Sequence, residues 1–220
     1  MAKLKCVVFD MDGTLVDSES VHDECFQRVF DKYGAEVSHE ELVSWNGVGV
    51  PGLLEKLEGL TGSRDEAQKW LDESLVDLEQ QLLTVGFPTF EGAKKLLEFC
   101  KQQGLVVGLA TSSLKEWGKV VVIKTGIDSY FDFMFFGDDV ENMKPAPDVY
   151  LLAAKQAGAT FEECLVFEDS QVGVEAAARA GLPVVQILRG QKKSELATDH
   201  IESFEEAKIL IEEKLRPKKS

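Results

Sequence analysis

The sequence predicts an α/β fold, a doubly wound parallel sheet with a helical domain inserted after its first strand. Two observations carry this expectation. Five apolar runs of strand length recur along the chain, and helical patterns separate the later ones, which is the order of a parallel sheet covered on both faces. Between the first run and the second lies a long stretch of helical periodicity with no convincing strand.

The first run, residues 4–10, reads LKCVVFD and ends in polar groups. Its unbroken Val and Phe residues suit a strand buried on both faces. Residues 17–86 then carry helical patterns at 21–33, 38–44, 52–60 and 64–83. Ser38 with Glu41, and Ser63 with Glu66, have the spacing of capping boxes and place helix starts at both points. Residues 17–87 are therefore expected to form a helical cap domain on linkers at 16–20 and 84–90, either mobile or held rigidly. Residues 1–16 and 88–220 form the expected core domain. Within it, helices at 91–103, 114–124, 148–157 and 172–180 each precede a strand, at 106–111, 133–137, 164–168 and 184–187.

Composition bounds the function. A chain of 220 residues with 44% hydrophobic residues can build a buried core. The formal net charge of −15 argues against nucleic acid and anionic membranes as partners, since phosphate backbones are held by clustered Lys and Arg. No apolar stretch approaches the ~20 residues of a membrane span, and MAKLKCVVFD leads straight into a strand without a signal-peptide layout. A cytoplasmic monomer is expected. Cys6, Cys25, Cys100 and Cys164 lie among apolar neighbours without CxxC spacing, so buried free thiols are expected.

The strand ends carry the chemistry. In a parallel sheet, ligands bind beyond the carboxyl ends of the strands. Asp10 and Asp12 are two apart, a spacing that in extended chain projects both side chains to one side, and Gly13 then permits a sharp turn. Such a pair alone also suits a turn or helix cap. Glu168 and Asp169 end a second apolar strand, where they could cap the next helix or bind a cation. Two or three carboxylates with a carbonyl would suit Mg²⁺, which takes oxygen ligands in octahedral geometry. Thr111, Ser112 and Ser113 offer hydroxyls and N–H groups to an anion at a strand-to-helix junction. Lys144 could bring a positive charge to the same anion, with Pro145 and Pro147 stiffening its loop. A lone Lys is otherwise a solvated surface charge.

Four segments, VVFDMDGTL (7–15), GLATSS (108–113), MKPAPD (143–148) and LVFEDSQVG (165–173), resemble in order and spacing the four motifs of the haloacid dehalogenase superfamily of phosphohydrolases. With the helical insertion after the first motif, the chain looks like the branch holding beta-phosphoglucomutase and many sugar-phosphate phosphatases. The resemblance covers essentially the whole chain, including DHIESFEEA (199–207), which is similar to the family's last strand and helix. It implies a Rossmann-like core with a cap, Mg²⁺ as cofactor and a small phosphorylated metabolite as substrate.

Residue by residue, the resemblance implies that Asp10 is the nucleophile and forms an aspartyl-phosphate. Asp12 would be the general acid and then the base, with its carbonyl on magnesium. Thr111 and Ser112 would hold phosphate oxygens, and Lys144 would neutralise charge on Asp10 and the transferred group. Asp169 would ligate magnesium, with Glu168 a direct or water-bridged ligand. Dehalogenases proper lack the second Asp of the first motif, so Asp12 places the chain with the phosphate enzymes.

His22 stands where several members of this branch carry a cap-hinge histidine, although a local hydrogen bond on a helix would explain it equally. The segment VSWNGVGVPGLL (43–54) looks like the cap's specificity loop. The mutase carries a Lys just before the matching Gly47 and an Arg three residues after it, where this chain has Asn46 and Val50. Losing both cations favours hydrolysis of a monophosphate, because a bisphosphate needs a partner for its second phosphate. Asn46 could bond a sugar hydroxyl, whereas Val50 and Trp45 also suit packing. A phosphomutase and a non-catalytic binding protein are the alternative readings.

Overall fold

The computed structural model describes residues 3–45 and 49–216. In chain order they form β1 (Cys6–Phe9), α1 (Ser18–Tyr33), α2 (His39–Val43), α3 (Gly49–Thr61), α4 (Arg64–Thr84), α5 (Ala93–Gln102), β2 (Val106–Ala110), α6 (Lys115–Thr125), β3 (Phe133–Phe135), α7 (Asp148–Ala157), β4 (Cys164–Glu168), α8 (Gln171–Arg179), β5 (Val184–Ile187), β6 (Asp199–Ile201) and α9 (Phe204–Leu215). The chain divides into two compact units, Met1–Val16 with Pro88–Ser220, and Asp17–Phe87.

The first unit is a six-stranded sheet in the order β3-β2-β1-β4-β5-β6, with every pairing parallel. The chain runs outward from β1 through β2 to β3, then crosses back to β4 and continues to β6. The strand order therefore reverses between β1 and β4, the switch point at which open α/β sheets leave a crevice. All four residues of β1 and all five of β4 are buried, as unbroken apolar runs require. Phe9 pairs with Phe167 in the ladder, and their rings stack at 4.9 Å and 12°. Tyr150, Val149 and Ala153 of α7 and Val174, Ala176 and Ala177 of α8 close one core cluster with Val8, Ala110 and Val166.

The second unit is helical. Phe26 and Phe30 of α1, Trp45, Leu57 of α3, and Trp70 and Leu71 of α4 form its core. Trp45 is 2% exposed and meets Phe30 edge-on at 6.0 Å, so it serves packing. Ion pairs from Arg28 to Asp77 (2.6 Å) and Lys32 to Glu73 (2.8 Å) join α1 to α4.

Helix ends differ from the sequence expectation for local reasons. Asp17 accepts from the Ser20 N–H at 3.2 Å, which caps α1 and starts it at Ser18 instead of residue 21. Ser38 and Ser63 cap α2 and α4 through the N–H groups of Glu41 (3.1 Å) and Glu66 (3.4 Å). The expected loop at 43–54 is not a single loop, since Val43 ends α2 and α3 has begun by Gly49. Pro51 is tolerated there because the first turn of a helix needs no N–H from it. Asn46 and Gly47 lie outside the described residues. All four cysteines are buried and free, and burial pushes the thiols of Cys25 and Cys100 up to about 11 and about 12. Among the described residues no helix is long and apolar enough to cross a membrane.

Candidate active site

Ladder register brings the acidic groups together. Phe9 pairs with Phe167 on β4 and with Leu109 on β2, so the next row contains Asp10, Glu168 and Ala110. The Asp10 N–H continues the ladder to the Phe167 carbonyl at 3.0 Å. Lys144 reaches this row from the loop before α7. Its ammonium donates to Asp10 Oδ1 (2.7 Å), the Ala110 carbonyl (2.9 Å) and Glu168 Oε1 (2.6 Å). An ammonium has three N–H donors, and these acceptors on three neighbouring strands use them all. The Lys144 side chain is only 4% exposed. Burial alone would lower its pKa, but the carboxylates of Asp10 and Glu168 outweigh that effect and hold it above the ordinary lysine value.

Glu168 is held on every side. Tyr150 donates its hydroxyl to Oε1 at 2.6 Å, and Ser170 donates to Oε2 at 3.2 Å. The Lys144 ammonium also lies 4.8 Å from the centroid of the Tyr150 ring. Burial, reinforced by the Glu168 charge, keeps the Tyr150 phenol protonated well above its usual range. Ser170 also caps α8 by accepting from the Gly173 N–H at 3.0 Å. A Cβ at Gly173 would overlap the Glu168 carboxylate, so glycine makes room for it.

The turn after β1 carries Asp12. Gly13 stands at φ 76°, and a side chain there would overlap Asp169. Thr14 donates to Asp169 Oδ1 at 2.9 Å. Ser113 donates to Asp12 Oδ2 at 2.7 Å, while its own N–H is held by Thr111 Oγ1 at 3.0 Å.

Asp10, Glu168 and Asp169 offer oxygens within 4.8 Å of one another, all three being buried. Lys144 contributes one positive charge against three carboxylates. Burial and the Glu168 charge push Asp10 well above the usual carboxylate range, although Lys144 opposes them. Hard oxygen donors with surplus negative charge in one buried place suit a divalent cation.

Of the residues singled out from sequence, Asp10, Lys144 and Glu168 share direct contacts, and Asp169 joins the first and third in the acidic cluster. Thr111 is 2% exposed at the end of β2, whereas Ser112 is exposed. The hydroxyl that reaches Asp12 belongs to Ser113 instead. His22 lies half-buried in α1 of the second unit, and Val50 lies in the first turn of α3 with 54% exposure. Sequence reasoning missed the roles of Ser113 and Tyr150 in this network. Ser113 was visible as a third hydroxyl of ATSS, and Tyr150 as an aromatic residue six positions after Lys144, in the first turn of α7.

The haloacid dehalogenase-like hydrolase profile matches residues 7–187. A phosphorylated carbohydrates phosphatase of Thermotoga maritima is 35% identical over 183 residues, covering 81% of this chain and 82% of that protein. The fructose-1-phosphate phosphatase YqaB of Escherichia coli is 28% identical, covering 82% of this chain and 95% of its own length. The fold also matches a HAD family hydrolase of Deinococcus radiodurans, crystallised with phosphate and sodium, at TM-score 0.83, with 24% identity and 97% of each chain covered. The parallel sheet, the acidic row at its switch point and these likenesses agree, and the chain belongs to the haloacid dehalogenase-like hydrolase family.

Proposed function

We propose that this chain is a magnesium-dependent phosphatase that hydrolyses a small phosphomonoester, a sugar or polyol phosphate, through an aspartyl-phosphate on Asp10. The observation that carries the reading is the row in which Lys144 binds Asp10 and Glu168 at once, beside Asp169. The cation would be held by Asp10, Asp169 and Glu168 with the main-chain carbonyl of Asp12. When bound it would offset the charge of the transferring phosphoryl group.

Asp10 attacks phosphorus through a carboxylate oxygen, and the bond from phosphorus to the leaving alcohol breaks. Asp12 gives its proton to that alcohol. It then takes a proton from the water that attacks the aspartyl-phosphate, which returns Asp10 and releases phosphate. The hydrogen bond from Ser113 holds the Asp12 carboxyl in place for both transfers. Lys144 fixes the Asp10 carboxylate and balances its charge. A contact from Lys144 to phosphate would require exchange of one of its three protein acceptors. Thr111 and Ser112 supply the remaining contacts to phosphate oxygens. The acidic, helical second unit supports the reading as a cap domain, and we assign substrate selection to its residues His22, Asn46, Gly47 and Val50. The names of the two phosphatases above favour phosphorylated sugars as the substrate class.

The test is phosphate release from fructose 1-phosphate, other sugar phosphates, polyol phosphates and phosphoglycolate, with Mg²⁺ and with EDTA. Selective release that EDTA abolishes and Mg²⁺ restores is the expected result. Release unaffected by EDTA would refute the metal role. Isomerisation of a hexose phosphate in place of release would establish a mutase.

A further inference from the structure

We infer that Arg189, just beyond β5, is a positioning residue for the general acid. The inference rests on the phosphatase reading, because it assigns a task within that reaction. Arg189 is half-buried, and its guanidinium forks across two consecutive carbonyls of the acidic turn. Nε donates to the Gly13 carbonyl at 2.9 Å, and a terminal N–H₂ donates to the Thr14 carbonyl at 3.1 Å. The same guanidinium lies over Phe90, its carbon 3.4 Å from the ring centroid, with the Phe204 ring at 5.5 Å.

These contacts complete a frame around Asp12. The turn closes on itself through the N–H groups of Leu15 and Val16, both donating to the Met11 carbonyl at 2.9 Å, and through Gly13 N–H to the Val16 carbonyl at 2.9 Å. Phe90 is tied to the same turn, its N–H donating to the Leu15 carbonyl at 3.1 Å. Thr14 anchors the turn to Asp169, and Ser113 holds the Asp12 carboxylate. Of the two peptide planes that Arg189 reaches, Thr14–Leu15 is also held by the Leu15 N–H, whereas none of these bonds fixes Gly13–Thr14. The rigid, planar fork of Arg189 does, and Phe90 holds the fork. Lys, with a point-like ammonium on a flexible stem, reproduces neither the fixed spacing of the two donors nor the contact of a planar group with Phe90. Gln186, three residues earlier on β5, donates to the Asp169 carbonyl at 3.1 Å, so the end of this strand supports both acidic segments.

A misplaced Asp12 delivers its proton poorly, which matters most when the leaving alcohol is a poor one. The test measures kcat and KM of wild type, Arg189→Lys and Arg189→Gln in Mg²⁺ on two substrates. One is p-nitrophenyl phosphate, whose leaving group needs little protonation, and the other is the sugar phosphate that the wild type hydrolyses fastest. We expect kcat to fall about tenfold or more on the sugar phosphate, since a misplacement of about 1 Å can cost ~10²-fold. On p-nitrophenyl phosphate the fall should stay within about threefold, and KM should change little on either. Equal slowing on both substrates, the signature of a smaller folded fraction, would overturn the inference, as would undiminished turnover. Should Arg189→Gln fail to fold, Arg189→Lys, which keeps the charge and the apolar stem, carries the test. A wild type that releases no phosphate would refute the phosphatase reading and this inference with it, whereas an active wild type with an unchanged substrate ratio would refute the inference alone.

Discussion

Gly173→Ala sets two physical effects against each other. Gly173 lies in the first turn of α8, and by helix propensity alone alanine would stabilise the protein by up to about 1 kcal/mol. The new methyl group, however, would fall on the carboxylate of Glu168. That carboxylate cannot swing aside freely, because its oxygens accept from Lys144 (2.6 Å), Tyr150 (2.6 Å) and Ser170 (3.2 Å) and the side chain is 1% exposed. Displacing it forfeits at least one hydrogen bond to a charged group, about 1.5–3 kcal/mol. Residual crowding adds about 1–3 kcal/mol. After the propensity gain the net loss is about 1.5–5 kcal/mol. Urea unfolding of the full chain, followed by circular dichroism, should show a lower midpoint at an unchanged slope. Turnover should fall with it, because Glu168 and Lys144 move together. A variant as stable as the wild type, with undiminished phosphate release, would refute the claim that Glu168 is locked in place.

Asp10→Asn should abolish turnover while leaving the fold intact. Because burial and Glu168 raise the folded pKa of Asp10, the wild type's contribution from this group is full in acid and is lost as pH climbs from the ordinary carboxylate value of about 4 through the folded one. In EDTA the unfolding midpoint of Asp10→Asn should therefore gain on the wild type as pH rises, and a pH-independent difference would contradict the raised pKa. Tyr150→Phe removes a buried donor to a charged acceptor and should cost about 1.5–3 kcal/mol by the same urea assay, so an unchanged midpoint would count against the Glu168 bond. Ser113→Ala should slow release from sugar phosphates more than from p-nitrophenyl phosphate. Ser113→Thr, which keeps the hydroxyl, should recover most of the rate, and failure of that rescue would argue against the bond to Asp12.

The sheet was legible because its central strands are largely apolar runs; β4 has its expected bounds, 164–168, and β1 is shorter at both ends than the expected 4–10. The acidic row was legible for a related reason. Parallel strands align their carboxyl ends, so Asp10 and Glu168 had to meet once both runs were read as neighbours. Side-chain direction beyond the strand ends was not legible. Ser112 and Ser113 are equivalent as letters, and only the turn closed by Thr111 sends Ser113 toward Asp12. Arg189 follows a strand as many surface arginines do, and its fork depends on a turn 175 residues away in sequence. At α3, Gly49 and Gly52 around Pro51 read as loop punctuation, yet the first turn of a helix accepts all three.

The alignment of β1 with β4 has a further consequence. Strands buried on both faces lack the alternation of polar and apolar residues that ordinarily forbids slippage, so a shift by one step would keep greasy surfaces covered. It would also carry Asp10 about 3.3 Å along the sheet and turn its side chain to the opposite face. The ammonium of Lys144, which finds its three acceptors on three adjacent strand ends, is satisfied in a single alignment. The charged row thus acts as a gauge of correct threading, and the rate per molecule counts the chains that have paired in step.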